Sequence, residues 1–184
     1  MRPKAIKLSG RIWYDMRLEE GAEGEHWDRL LDSIGCASKL RKREGMRYVF
    51  SGGALSPIPS PRPSGGDAHI AMELEGARPW FVDAVFEAAC RNVKECGLLL
   101  TVRAEGLDFS KLREWAYRAG EEFSSDRGGS FSSKLIVKGQ RTSLTADPRH
   151  GILSLRGVFK RDKGRPSEVL ASILKEGSAN GRGI

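Results

Sequence analysis

Leu98-Leu99-Leu100-Thr101-Val102 is a dense apolar run closed by Gly97 on one side and Arg103 on the other. Its reading decides the fold. A run this short, bounded by breakers and lacking polar alternation, fits a strand in the middle of a sheet. Upstream, Pro79 suits a first helical turn, and Phe81, Val82, Val85, Phe86, Ala89 and Val93 line one side of a helix reaching about Glu95. Downstream, Asp108 or Ser110 caps a helix whose core face is Leu112, Trp115, Ala116, Ala119 and Phe123.

Further out, Ile6, Leu8, Ile12 and Tyr14 share one face of a strand, opposite Lys7, Ser9 and Arg11. Trp27, Leu30, Leu31, Ile34, Ala37 and Leu40 fall at helical spacing, so a helix is expected over 25–42, its end marked by Lys39, Arg41, Lys42 and Arg43. Met46 to Phe50 and Ala68 to Glu75 alternate as strands. The stretch 51–67 between them holds Pro57, Pro59, Pro61 and Pro63 with four glycines, and reads as one long loop joining a hairpin. On the C-terminal side, Ser124 to Ser133 reads as a Ser/Gly-rich loop and Lys134 to Leu144 as a single strand. Ile152 to Lys160 is the next strand. Pro166 opens a last helix with Val169, Leu170, Ile173 and Leu174 as its apolar stripe.

The resulting order is βαββα followed by βαββα. The expected fold is α+β: an antiparallel or mixed sheet with helices on one side, a tandem βαββα order and ferredoxin-like character, since the first six elements match a split βαβ. The expected units are 1–96 and 97–177, sharing one sheet or core, with a flexible tail at 178–184. The sheet face opposite the helices is then free for a ligand.

A chain of 184 residues, 39% hydrophobic and 30% charged, is globular in composition rather than disordered. Cys36, Cys90 and Cys96 form an odd set in a chain too long to need disulfide staples, which favours a reduced intracellular setting. The start shows no apolar signal core, and no apolar run reaches membrane-span length, so a soluble cytoplasmic protein is expected.

Net charge is +7, and Arg outnumbers Lys by twenty to eleven. The charge is unevenly spread. Between Arg127 and Arg165 ten cations face two carboxylates, whereas Gly66 to Asp126 carries seven cations and twelve anions. Positive excess of this kind steers a protein towards polyanions. The candidate nucleic-acid contacts are Arg127, Lys134, Lys138, Arg141, Arg149, Arg156, Lys160, Arg161 and Arg165. Lys134 with Lys138, and Arg156 with Lys160, share strand parity, so pairing of their strands would make one cationic field. Trp13 shares parity with Lys7, Ser9 and Arg11 and is a candidate platform for stacking a base.

Other chemistry is weaker. Ser51-Gly52-Gly53 and Gly128-Gly129-Ser130 match neither a P-loop nor a dinucleotide fingerprint. Cysteines and histidines lack zinc spacing, and the cysteines read as core residues. Glu73, Glu75 and Asp108 are the candidate ligands of a divalent ion for phosphodiester cleavage. The expectation is a non-enzymatic nucleic-acid-binding protein preferring RNA or single strands, without cofactor, metal or membrane. Its rivals are a protein-assembly subunit, with a protein partner or homodimer, and a metal-dependent nuclease.

Overall fold

The computed structural model describes residues 6–19, 21–59, 67–104, 106–126 and 128–178. Arg127, Arg62 with the rest of residues 60–66 of the proline-rich loop, and the tail after 178 lie outside them. The chain runs β1 (Leu8–Met16), α1 (Glu23–Ala37), β2 (Leu40–Glu44), β3 (Arg47–Phe50), β4 (Gly53–Ile58), β5 (Ala68–Ala77), α2 (Pro79–Ala89). It continues as β6 (Glu95–Arg103), α3 (Phe109–Ala119), β7 (Gly120–Ser125), β8 (Phe131–Val137), β9 (Gln140–Asp147), β10 (Ile152–Lys160), a 3-10 turn at Arg161–Lys163, and α4 (Pro166–Glu176). The order βαββββα therefore occurs twice.

The ten strands among the described residues form one antiparallel sheet in the order β2-β3-β4-β5-β1-β6-β10-β9-β8-β7. The run at Leu98–Val102 is central, as its composition demands: β6 lies between β1 and β10. From the β1–β6 seam each half of the chain spreads outwards in the same sense. The helices cover one face as a row, α1 against α2, α2 against α4, and α4 against α3. One hydrophobic cluster runs through both halves, from Ile34, Phe81 and Phe86 to Phe159, Ile173 and Leu135. At the seam Gly10 is obligatory, because a β-carbon there would overlap the Leu99 carbonyl oxygen.

Several expectations are corrected. The ferredoxin-like arrangement is not confirmed: a split βαβ leaves one strand between the two parallel strands that its helix joins, whereas β1 and β2, joined by α1, have β3, β4 and β5 between them. The first helix stops at Ala37, and the cations after it form β2, whose residues are all exposed. β2 is an edge strand, and charge on an edge blocks pairing with other chains. The supposed long loop contains β4, which lies between β3 and β5 and prevents those two from pairing. Pro57 is tolerated there because β3 pairs with β4 only as far as Leu55, so no ladder bond on that side needs its missing N–H. The single strand expected over 134–144 is a hairpin, β8 and β9, reversed at Lys138 (φ 51°) and Gly139 (φ 74°), a two-residue turn with both residues left-handed. The helix ending in Ala119 gives way to β7, which carries Phe123.

Candidate nucleic-acid interface

Alternation places every second strand residue on the face away from the helices. Strand register then arranges these residues in rows across the sheet. One row reads Glu122, Lys134, Ser143, Arg156, Leu99, Arg11, Glu73, from β7 to β5. A neighbouring row reads Ser124, Ser132, Thr145, Ser154, Thr101, Ser9, six hydroxyl side chains on six successive strands. Two links of this row are hydrogen bonds, Ser124 Oγ to Ser132 Oγ at 2.6 Å and Thr101 Oγ1 to Ser154 Oγ at 3.1 Å.

Trp13 stands at the centre of the face. Its register partner on β6 is Gly97, and the space a β-carbon would take at Gly97 is filled by the indole. The ring therefore lies against the bare backbone of β6. The Arg156 guanidinium carbon is 5.8 Å from the ring centroid, a cation–π geometry. Around this pair runs a groove of about 710 Å³, whose walls include Lys134, Arg141, Arg156, Lys160 and Lys163. It adjoins a hollow of about 420 Å³ beneath Val93, Lys94 and Asp15, sharing Trp13, Glu95 and Val158 with it. Towards β7 it adjoins a smaller hollow of about 160 Å³ through Lys134 and Ser143.

The expected cationic field is only partly assembled. β9 separates the strands of Lys134 and Arg156, and the two meet across Ser143 instead of directly. Lys134 pairs with Glu122 at 2.6 Å, Arg141 with Glu121, and Lys160 with Glu95 at 3.9 Å. The Glu122 carboxyl is held below its usual range by the Lys134 bond. Arg156 has no ion pair among the described residues. Such exposed pairs contribute about 0–1 kcal/mol each and exchange readily for a stronger anion.

Other candidates sit elsewhere. Arg161 turns to the helix layer, where its Nε lies 3.3 Å from Glu87 of α2. Arg165 is the N-cap of α4, near Asp83, also in the helix layer. Lys138 occupies the β8–β9 turn. Arg149 lies in the β9–β10 turn, its guanidinium near Gly128. Arg127 is outside the described residues. Three features escaped the sequence reading: Gly97 as the floor of the indole, Lys163 on the groove wall, and the hydroxyl row. Alternating Ser and Thr on β8–β10 was the visible signal for the last, but it needed the register to become a row.

The divalent-ion candidates do not converge. Asp108 caps α3, accepting from the backbone N–H groups of Ser110 and Lys111, while Glu75 pairs with Arg47 near the far edge of the sheet. No group of three or more His, Cys, Asp or Glu suited to a metal ion occurs among the described residues. No helix among them is long and apolar enough to cross a membrane. No protein-family model matches the chain, and no curated protein matches its sequence.

Proposed function

We propose that the chain is a non-enzymatic nucleic-acid-binding protein that takes single strands, RNA in preference, on the open face of the sheet. The observation that carries this reading is Trp13 laid on Gly97 with Arg156 against its ring, at the centre of a trough walled by Lys134, Arg141, Lys160 and Lys163. A single strand offers bases to stack on the indole and phosphates for the cations and hydroxyls, whereas paired bases would keep their faces from Trp13. The three free thiols favour a reducing compartment such as the cytoplasm. The recurring βαββββα order favours two tandem units sharing one core, dividing at the start of β6 rather than within it.

The test is fluorescence anisotropy with labelled oligouridine at several salt concentrations. Trp13→Ala is expected to weaken binding by about 1–3 kcal/mol, the contribution of one stacked base. Arg156→Gln with Lys160→Gln is expected to flatten the salt dependence by about 1.4, or 0.7 for each lost phosphate contact on a single strand. No binding at low salt, or unchanged affinity in both variants, overturns the proposal.

The assembly reading has one observation in its favour. The outer edge strands carry opposite charge, Arg41, Lys42 and Arg43 on β2 against Glu121 and Glu122 on β7. Sedimentation that shows salt-sensitive association without nucleic acid would support it.

A further inference from the structure

We infer that Cys90 and Cys96 are a reversible dithiol–disulfide couple that exchanges with low-molecular-weight disulfides of the glutathione type. The two thiols were expected to be inert core residues, and both are buried, at 4% and 1% exposure. Their placement argues for more. Cys90 is the C-cap of α2 and Cys96 the second residue of β6, so they terminate two different elements joined by a short turn. Their sulfurs are 3.3 Å apart. Closure to a bond of about 2.05 Å needs a movement of about 1.3 Å, within reach of side-chain rotation. The third cysteine, Cys36, is exposed and has neither arrangement.

The pair is also chemically asymmetric. The Cys90 thiol is held below the usual thiol range by the hydrogen bond from Cys96, with the Arg161 guanidinium acting in the same direction. The Cys96 thiol is pushed well above that range, by the same bond and by burial. One thiol is thus the better thiolate and the other the proton holder. The turn between them lies at the surface, with Arg91, Asn92 and Lys94 exposed. The Arg91 N–H bond to the Ala88 carbonyl is long, at 3.4 Å, and the Asn92 N–H reaches the Ala89 carbonyl at 3.2 Å.

The Cys90 thiolate attacks one sulfur of glutathione disulfide, forming a mixed disulfide and releasing glutathione thiolate with the electron pair of the broken S–S bond. That thiolate takes the Cys96 proton. The Cys96 thiolate then attacks the Cys90 sulfur and expels the second glutathione, which is protonated by solvent. The protein loses two electrons and two protons, and one disulfide becomes two thiols. The new bond fastens the end of α2 to the strand that carries Gly97, on the reverse side of the sheet from Trp13.

The experiment uses the full chain with Cys36→Ser, equilibrated with reduced and oxidised glutathione at varied ratios, quenched in acid and weighed. The expected product is lighter by two hydrogens, carries no glutathione, and reverts as the ratio turns reducing. Peptide mapping of the wild-type protein without reductant is expected to find the Cys90–Cys96 bond, independently of how the variant folds. Adding Cys96→Ser is expected to leave a stable glutathione adduct on Cys90. Failure to lose two hydrogens at any ratio, or a lasting adduct while both cysteines are present, overturns the inference. None of these readouts involves nucleic acid, so the outcome stands apart from the proposed binding function.

Discussion

The first run of elements, β1 to α2, and the second, β6 to α4, repeat one order and meet at one seam, yet their open faces differ. In the first run the open face carries Ala71, Ile58 and Val49 beside Ser9, Arg11 and Glu73, and several of its charges pair among themselves: Arg47 with Glu44 and Glu75, and His69 with Asp15. In the second run the same positions hold Ser132, Lys134, Arg141, Ser143, Thr145, Ser154 and Arg156. The scaffold is built twice and the polar trough once. The first run contributes Trp13 across the seam, and the second contributes Gly97 beneath it and Arg156 beside it. Repetition here explains the size of the sheet; the polar trough belongs to the departure from repetition.

The severest way to break the comparison is to cut it. Each half alone would expose the β1–β6 seam and the α2–α4 contact, where Asp83 of α2 accepts from the Ser167 backbone N–H at 3.0 Å. Residues 1–94 and 95–184 expressed separately are expected to give no cooperative thermal transition by circular dichroism. A folded half would mean that the shared cluster is two cores. Next in size is Phe159→Ala. Phe159 of β10 is fully buried and meets Phe86 of α2 edge-on at 6.4 Å, so it joins the halves through the helix layer. Its removal is expected to cost about 4 kcal/mol, read from the urea midpoint. A much smaller loss would show that the halves hold together without this contact.

The sequence expectations failed at equivalent places in the two runs. β1, β3, β5 and β10 announced themselves by alternation and β6 by its unbroken apolar run, and all five appear where the apolar pattern puts them. The edge strands β2 and β7 did not, because an edge needs charge more than it needs an apolar face, and charge after a helix reads as a helix end. β4 was hidden by prolines that only its half-paired position permits. β8 and β9 merged because Lys138 stands where a turn demands positive φ, a place where Lys gives no signal. The candidate site was legible residue by residue in Trp13, Arg156, Lys134, Arg141 and Lys160. What sequence lacked was register, which brings Gly97 under Trp13, sets β9 between Lys134 and Arg156, and sends Arg161 and Arg165 to the other side.

A milder test sharpens the contrast between the faces. Arg11→Gln with Arg47→Gln removes two cations from the first run, as Arg156→Gln with Lys160→Gln does from the second. If the trough is the binding surface, the first pair is expected to change oligouridine affinity by less than about twofold and to leave its salt slope near wild type. Equal effects from both pairs would mean that net charge, not the trough, draws the ligand.

The smallest expected effect comes from a polar contact in the first run that the second lacks. α1 buries His26 with Leu30 and Ile34, whereas α3 buries only Leu112 and Ala116. The Tyr14 hydroxyl lies 2.8 Å from His26 Nε2. Burial holds the Tyr14 hydroxyl protonated far into the alkaline range, and the tautomer of the neutral imidazole sets which of the two groups donates. Burial, and secondarily Arg29, also lowers the His26 pKa from its ordinary value. As pH falls, the unfolded chain takes up this proton before the folded one. The contribution of neutral His26 to stability is therefore complete above about 6.5 and is lost as pH falls from there towards the folded-state value. His26→Gln removes the titration while keeping a polar side chain at the position. Urea midpoints are expected to favour the wild type at pH 8, with the difference narrowing by pH 5. A constant difference would place the proton elsewhere and leave the Tyr14–His26 bond as a matter of packing alone.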